Sequence, residues 1–169
     1  MITHRHDLFG AAAAFALLSA AANAQDDEPE LDIRAYEAGD VCDPSVRQLR
    51  VTVDDIRTTE GILSVELYRN QQRGFLTKKG RLRRIREAAH EGSQTVCFNV
   101  DSEGPFAVAT YHDQDGDRDL DQKWNRMPKE PFGLSNDPKL KFGFPPIEPS
   151  LVTVPPEGLD VVITLRGHR

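Results

Sequence analysis

Gly104-Pro105-Phe106-Ala107-Val108-Ala109-Thr110-Tyr111-His112 is the stretch on which the fold turns. Gly104-Pro105 reads as a turn, and an extended run follows it. In that run Phe106, Val108 and Thr110 face one way, and Ala107, Ala109 and Tyr111 the other. Both sets are apolar or small, so the strand is expected in the middle of a sheet and covered on both faces. On either side the pattern becomes one-sided. Leu49, Val51 and Val53 alternate with Arg50, Thr52 and Asp54, Leu63, Val65 and Leu67 with Ser64, Glu66 and Tyr68, and Val96, Phe98 and Val100 with Cys97 and Asn99. Each is a half-buried strand pattern. Leu151–Val154 reads as a short strand, and Leu159, Val161, Ile163 and Leu165 mark a closing one. Leu82–Ala88 suits a basic edge strand better than a helical turn. No window keeps a helical period. Six or seven short strands predict an all-β fold, a β-sandwich of immunoglobulin-like or prealbumin-like type with a long proline-rich loop at one end. An outer-membrane barrel would need strands of about 10 residues with an apolar outer band, whereas these outer faces carry Arg50, Asp54, Glu66 and Arg166.

Directly after the central strand comes His112-Asp113-Gln114-Asp115-Gly116-Asp117-Arg118-Asp119-Leu120-Asp121. Five carboxylates at alternate positions repel one another unless a cation sits among them. Asp113, Asp115, Asp117, Asp119 and Asp121 are therefore candidate ligands for Ca2+, a hard cation that takes carboxylate oxygens. Counted from Asp113, acidic residues fill positions 1, 3, 5 and 9 of a calcium loop, but Arg118 stands at the glycine position and Trp124 at the glutamate position. The competing reading is a solvated turn in which aspartates bond their own backbone.

Eight of the eleven prolines lie between Pro128 and Pro156. A stretch this long without periodicity is uncommon in a compact domain and often functional. It reads either as a lid packed on the sandwich or as a binding surface, with His112, Trp124, Lys129, Glu130, Phe132, Ser135 and Asn136 as its candidate surface residues.

The segment Arg69–Arg86 puts eight positive charges into 18 residues. It reads as a charge-protected edge strand, or as a surface for an anionic component of the cell envelope.

The chain has 169 residues, a net charge of −6 and two cysteines. The acidic balance argues against nucleic acid as a partner, and two cysteines are too few for a zinc cage. Residues 1–24 carry Arg5, an apolar run from Leu8 to Ala22 and the site Ala22-Asn23-Ala24. This is the layout of a signal peptide cleaved after Ala24, and the run is short for a spanning helix. Residues 25–45 form an acidic leader, expected to be loose over 25–40, and 46–169 a single sandwich domain. A periplasmic or secreted location follows, in a mature protein that does not span the membrane. In such a compartment Cys42 and Cys97 are expected to pair. The bridge closes a loop of 55 residues, stabilising the fold by about 4 kcal/mol in the chain-entropy model. A reactive thiol is the alternative.

Three motifs, spaced as they are here, resemble a bacterial family of exported proteins, domain-of-unknown-function family 2141. They are Gly104–Val108 with His112–Asp121, Pro128-Lys129-Glu130-Pro131-Phe132-Gly133-Leu134-Ser135-Asn136, and Phe142-Gly143-Phe144-Pro145. The resemblance covers roughly 49–165 and implies a β-rich exported domain. It supplies no catalytic residue. Arg118, Leu134 and Pro105-Phe106 depart from the family pattern.

Two functional readings follow. One is a non-enzymatic envelope module, binding or structural, with a calcium-stabilised aspartate loop. The other is a hydrolase of an envelope polymer using His112 and neighbouring carboxylates as acid and base. No Gly-x-Ser-x-Gly, His-Glu-x-x-His or phosphate-loop motif supports the second.

Overall fold

A computed structural model describes residues 30–124, 127–139 and 144–167. The expected signal peptide, residues 1–24, and Phe142 of the proline-rich segment lie outside the described residues. Among the described residues there are eight strands: β1 (Gln48–Ile56), β2 (Ile62–Arg69), β3 (Arg81–Ala88), β4 (Gly92–Asn99), β5 (Phe106–Asp113), β6 (Phe132–Leu134), β7 (Leu151–Val152) and β8 (Leu159–Thr164). Every stretch with clean alternation is a strand, and the basic Leu82–Ala88 is one as well. The additional strand, β6, is three residues long, too short to leave a periodic signal.

The strands form two sheets, β4-β1-β8 and β3-β2-β5-β6, with β7 beside β6 on the same edge of β5. β1 and β8 are parallel and the other pairs antiparallel. The sheets enclose one apolar core that includes Val51, Val53, Val65, Phe98, Val108 and Ile163. Burying such residues is the main stabilising term, about 1.5–3 kcal/mol for each large side chain. β5 is buried along its whole length, as its two-sided composition requires. Its outward residues Ala107 and Ala109 join Tyr68, Phe75, Leu134 and Ile147 in a second, smaller core on the outer face of the five-stranded sheet. The proline-rich segment, through Ile147, and the turn around Phe75 thus cover that face.

Both open sides of the sandwich are stitched. On one, Phe132 and Arg166 exchange backbone hydrogen bonds at 3.0 and 2.8 Å. On the other, Asp40 bonds β4 through its backbone, with its amide 3.0 Å from the Cys97 carbonyl. Its carboxylate also accepts from the Asn99 amide at 2.6 Å and pairs with Arg83 on β3. Cys42 and Cys97 form a disulfide, with Cα atoms 5.4 Å apart.

Two expectations are corrected here. The leader is not loose over its second half, because Glu37 is 1% exposed and bonded to Arg84, Arg86 and Arg118. Within the basic segment Arg69, Arg73, Lys78 and Lys79 are exposed, but the arginines on the edge strand β3 are not a solvated row of charge. Arg81 pairs with Glu66, Arg83 with Asp40, and Arg84 and Arg86 with Glu37. Arg86 is 1% exposed. Its position facing the leader follows from strand alternation; its burial follows from Glu37, since a guanidinium enters a low-dielectric interior only when paired.

Candidate functional site

The aspartate loop leaves β5 at Asp113, whose side chain is fully buried. Asp113 Oδ2 accepts the Arg118 amide at 2.8 Å, while Asp113 Oδ1 is buried and has no partner among the described residues. Asp115 and Asp117 bring a carboxylate oxygen each into the same place, all three within 4.8 Å of one another. Burial pushes the Asp113 carboxyl above the usual carboxylate range, and the Asp117 charge adds to this. Three oxygens from positions 1, 3 and 5 are the start of a hard-cation site. Asp119 and Asp121 do not join them: Asp119 pairs with Lys78, and Asp121 with Lys129 at 2.8 Å.

Arg118 does not obstruct this arrangement. Its backbone takes φ +74°, the left-handed conformation that glycine supplies at this position in calcium loops. Its guanidinium turns away and lies 3.0 Å from Glu37 Oε2. The arginine thus keeps the turn and directs its charge to the leader. Glu130 closes the loop from the other side. Its two oxygens accept the amides of Gln114 at 3.0 Å and Asp121 at 3.1 Å, so one carboxylate clasps both ends of the loop. Burial pushes its carboxyl up to about 7 against those two hydrogen bonds, with Asp113 and Asp115 adding repulsion. Gly61, at φ +73°, lies under the loop, where a Cβ would overlap the Asp113 carbonyl.

Beside the loop is a cavity of about 840 Å³ on the outer face of the five-stranded sheet. Its floor includes Glu66, Tyr68, Ala109, Tyr111 and Leu134. Its walls are Leu76–Lys78, Asp119–Gln122 with Met127–Pro128, and Phe144–Pro145. The Lys78–Asp119 ion pair joins two of these walls. At the base Glu66 accepts the Tyr68 hydroxyl and the Arg81 guanidinium. Arg86 donates to the Tyr111 hydroxyl at 3.2 Å and to the Arg118 carbonyl at 2.5 Å.

The candidate surface residues part company. Phe132 lines the cavity and Trp124, 97% exposed, stands clear of it. Lys129 is half-exposed on Asp121. Ser135 is buried: its hydroxyl accepts the Val108 amide at 2.9 Å and donates to the Ser150 carbonyl at 2.5 Å. Asn136 donates to the carbonyls of Pro149 and Leu151 at 3.1 and 3.0 Å. This pair is a structural clip between β5 and the proline-rich segment, not a contact surface. His112 shares the inner-face register of Leu63, and its Nε2 lies 2.6 Å from the Glu60 carbonyl. It sits on the opposite face of β5 from Asp113 and does not line the cavity. Among the described residues the partner of its Nε2 is thus a backbone carbonyl and not a carboxylate.

Glu37, Glu66 and Tyr111 are site residues that the sequence reading did not pick out, whereas Arg81 and Arg84 belong to the basic segment Arg69–Arg86 that it did. Alternation placed Glu66 on an outward face; nothing local said that this face would be roofed.

No helix among the described residues is long and apolar enough to cross a membrane. Neither the curated proteins nor the solved structures yield a match to this chain. A family model described as an uncharacterised protein conserved in bacteria, DUF2141, matches residues 51–161, and the chain belongs to that family.

Proposed function

We propose that this protein is an exported binding module of the bacterial cell envelope whose ligand site is the roofed outer face of the five-stranded sheet, with Ca2+ bound structurally in the adjoining aspartate loop. One observation supports the cation above all: Asp113, whose Oδ1 is buried and has no partner among the described residues, brings its carboxylate together with those of Asp115 and Asp117. A buried carboxylate oxygen without a partner is destabilising, and a divalent cation would neutralise it together with its two neighbours. The same loop runs on into Asp119–Gln122, a wall of the cavity, so a bound cation would order that wall. Export is the reading of the Arg5–Ala24 signal and agrees with the Cys42–Cys97 bridge. The anionic envelope component expected at Arg69–Arg86 would meet Lys78, Arg81 and Arg84 of that segment, which line the cavity.

The test is metal analysis and a calcium melting series on the chain beginning at Gln25. Calcium should raise the melting temperature, and Asp117→Ala should remove the rise. A melting temperature indifferent to several millimolar calcium would overturn the cation assignment.

A further inference from the structure

The floor of the cavity is divided chemically across the strands. At one level the register runs Arg84 on β3, Glu66 on β2, Ala109 on β5 and Leu134 on β6. At the next it runs Arg86, Ser64, Tyr111 and Phe132. The β3 and β2 side is charged and polar; the β5 and β6 side is apolar. Leu76, Leu120, Met127, Phe144 and Pro145 continue the apolar side onto the walls. Ala109 is the reason the floor is hollow, since a larger residue at mid-strand would fill it.

The charged side carries a surplus of cations. Among the described residues, Arg81, Arg84, Arg86 and Arg118 pair with two buried carboxylates, Glu66 and Glu37, and with the exposed carboxylate of Asp32 on Arg118, four cations against three anions. Glu66 engages one nitrogen, Nη1, of Arg81. Its remaining N–H groups have no hydrogen-bond partner among the described residues and are not sealed from solvent. Guanidinium edges of this kind match carboxylate and phosphate oxygens. A cavity of about 840 Å³ is large enough for a chain-bearing ligand.

From this division we infer that the cavity binds an anionic amphiphile, a single acyl or alkyl chain ending in a carboxylate or phosphate. The head group lies at Arg81 and Arg84, and the chain runs over Ala109, Leu134 and Phe132 toward Phe144. Surplus positive charge favours the head group. Apolar burial of the chain favours the body. The inference rests on the binding-module reading and names its ligand class.

Titration calorimetry on the chain from Gln25, in calcium-free buffer so that no calcium soap forms, would compare dodecanoate, dodecyl phosphate and the neutral dodecyl maltoside, all below their micelle concentrations. Dodecanoate or dodecyl phosphate should bind one to one, and the preferred one identifies the head group. The maltoside should bind at least tenfold more weakly. Arg81→Gln should weaken the anions at least tenfold and leave the maltoside unchanged. Ala109→Trp should abolish binding, and Phe144→Ala, at a position 62% exposed, should weaken it without touching the fold. Equal binding of maltoside and dodecanoate would overturn the anionic assignment while leaving the cavity as a site. Binding unaffected by both Ala109→Trp and Phe144→Ala would place it elsewhere and overturn the inference. No binding by any of the three, with the calcium melting rise intact, would overturn the inference and leave the calcium clamp standing.

Discussion

Glu37 and Arg118, 81 residues apart in sequence, meet at 3.0 Å between Oε2 and Nη2. The contact ties the leader to the aspartate loop. Arg84 and Arg86 meet the same carboxylate, so Glu37 is the counter-charge for three guanidiniums. Glu37→Gln would leave Arg86 buried without a full counter-charge. Breaking a buried pair from one side costs about 3–5 kcal/mol. Urea unfolding should show a loss in that range, and a change under about 0.5 kcal/mol would sink this account of the leader.

Asp113 separates the cation from the fold. Without calcium, Asp113→Asn removes a buried charge and should leave stability equal or higher. With calcium, the wild type at 100 times its dissociation constant gains about 2.7 kcal/mol, and the variant should not. For a domain of this size the gain is roughly 3 °C or more in melting temperature. A calcium response that survives the Asp113→Asn substitution would remove Asp113 from the ligand set.

Asp40 supplies a pH signature. The Arg83 guanidinium holds its carboxyl below the usual range, burial opposes this, and the Asn99 amide assists. A depressed carboxylate stabilises the fold above its unfolded pKa near 3.9 and loses that contribution as pH falls through the folded value. Asp40→Asn should therefore cost about 1.5–3 kcal/mol at pH 7, as for a hydrogen bond to a charged group. The gap from wild type should close below pH 4. A gap that stays constant down to pH 3 would mean that the charge is not what Asp40 contributes.

Gly61→Ala should destabilise the protein by about 2 kcal/mol or more. The left-handed backbone disfavours any side chain there, and the added Cβ overlaps the Asp113 carbonyl. Because Gly61 supports the loop from below, the variant should also lose calcium affinity. An unchanged melting curve would show that the β1–β2 turn moves freely.

How much was legible depended on the range of the interaction that placed each residue. Strand alternation is local, so Leu49–Asp54, Leu63–Tyr68, Val96–Val100, Phe106–His112 and Leu159–Leu165 announced themselves, and with them a sandwich. Cys42 and Cys97 could pair in one way only, and the spacing of the aspartates is itself local. Glu37 carried no such signal. A glutamate in an acidic leader looks like solvated charge until β3 brings two arginines, and the loop after β5 a third, to the same point. Arg118 looked like an intruder in a cation loop until its side chain had Glu37 to turn to. His112 and Asp113 are neighbours in sequence, yet the pleat sends them to opposite faces, so adjacency that suggested chemistry could not provide it. The roof over Glu66, Ala109 and Leu134 is assembled from segments around positions 76, 120 and 145. No single stretch contains it, and only chain closure over long separations, driven by burial of the second small core, could put a cavity there.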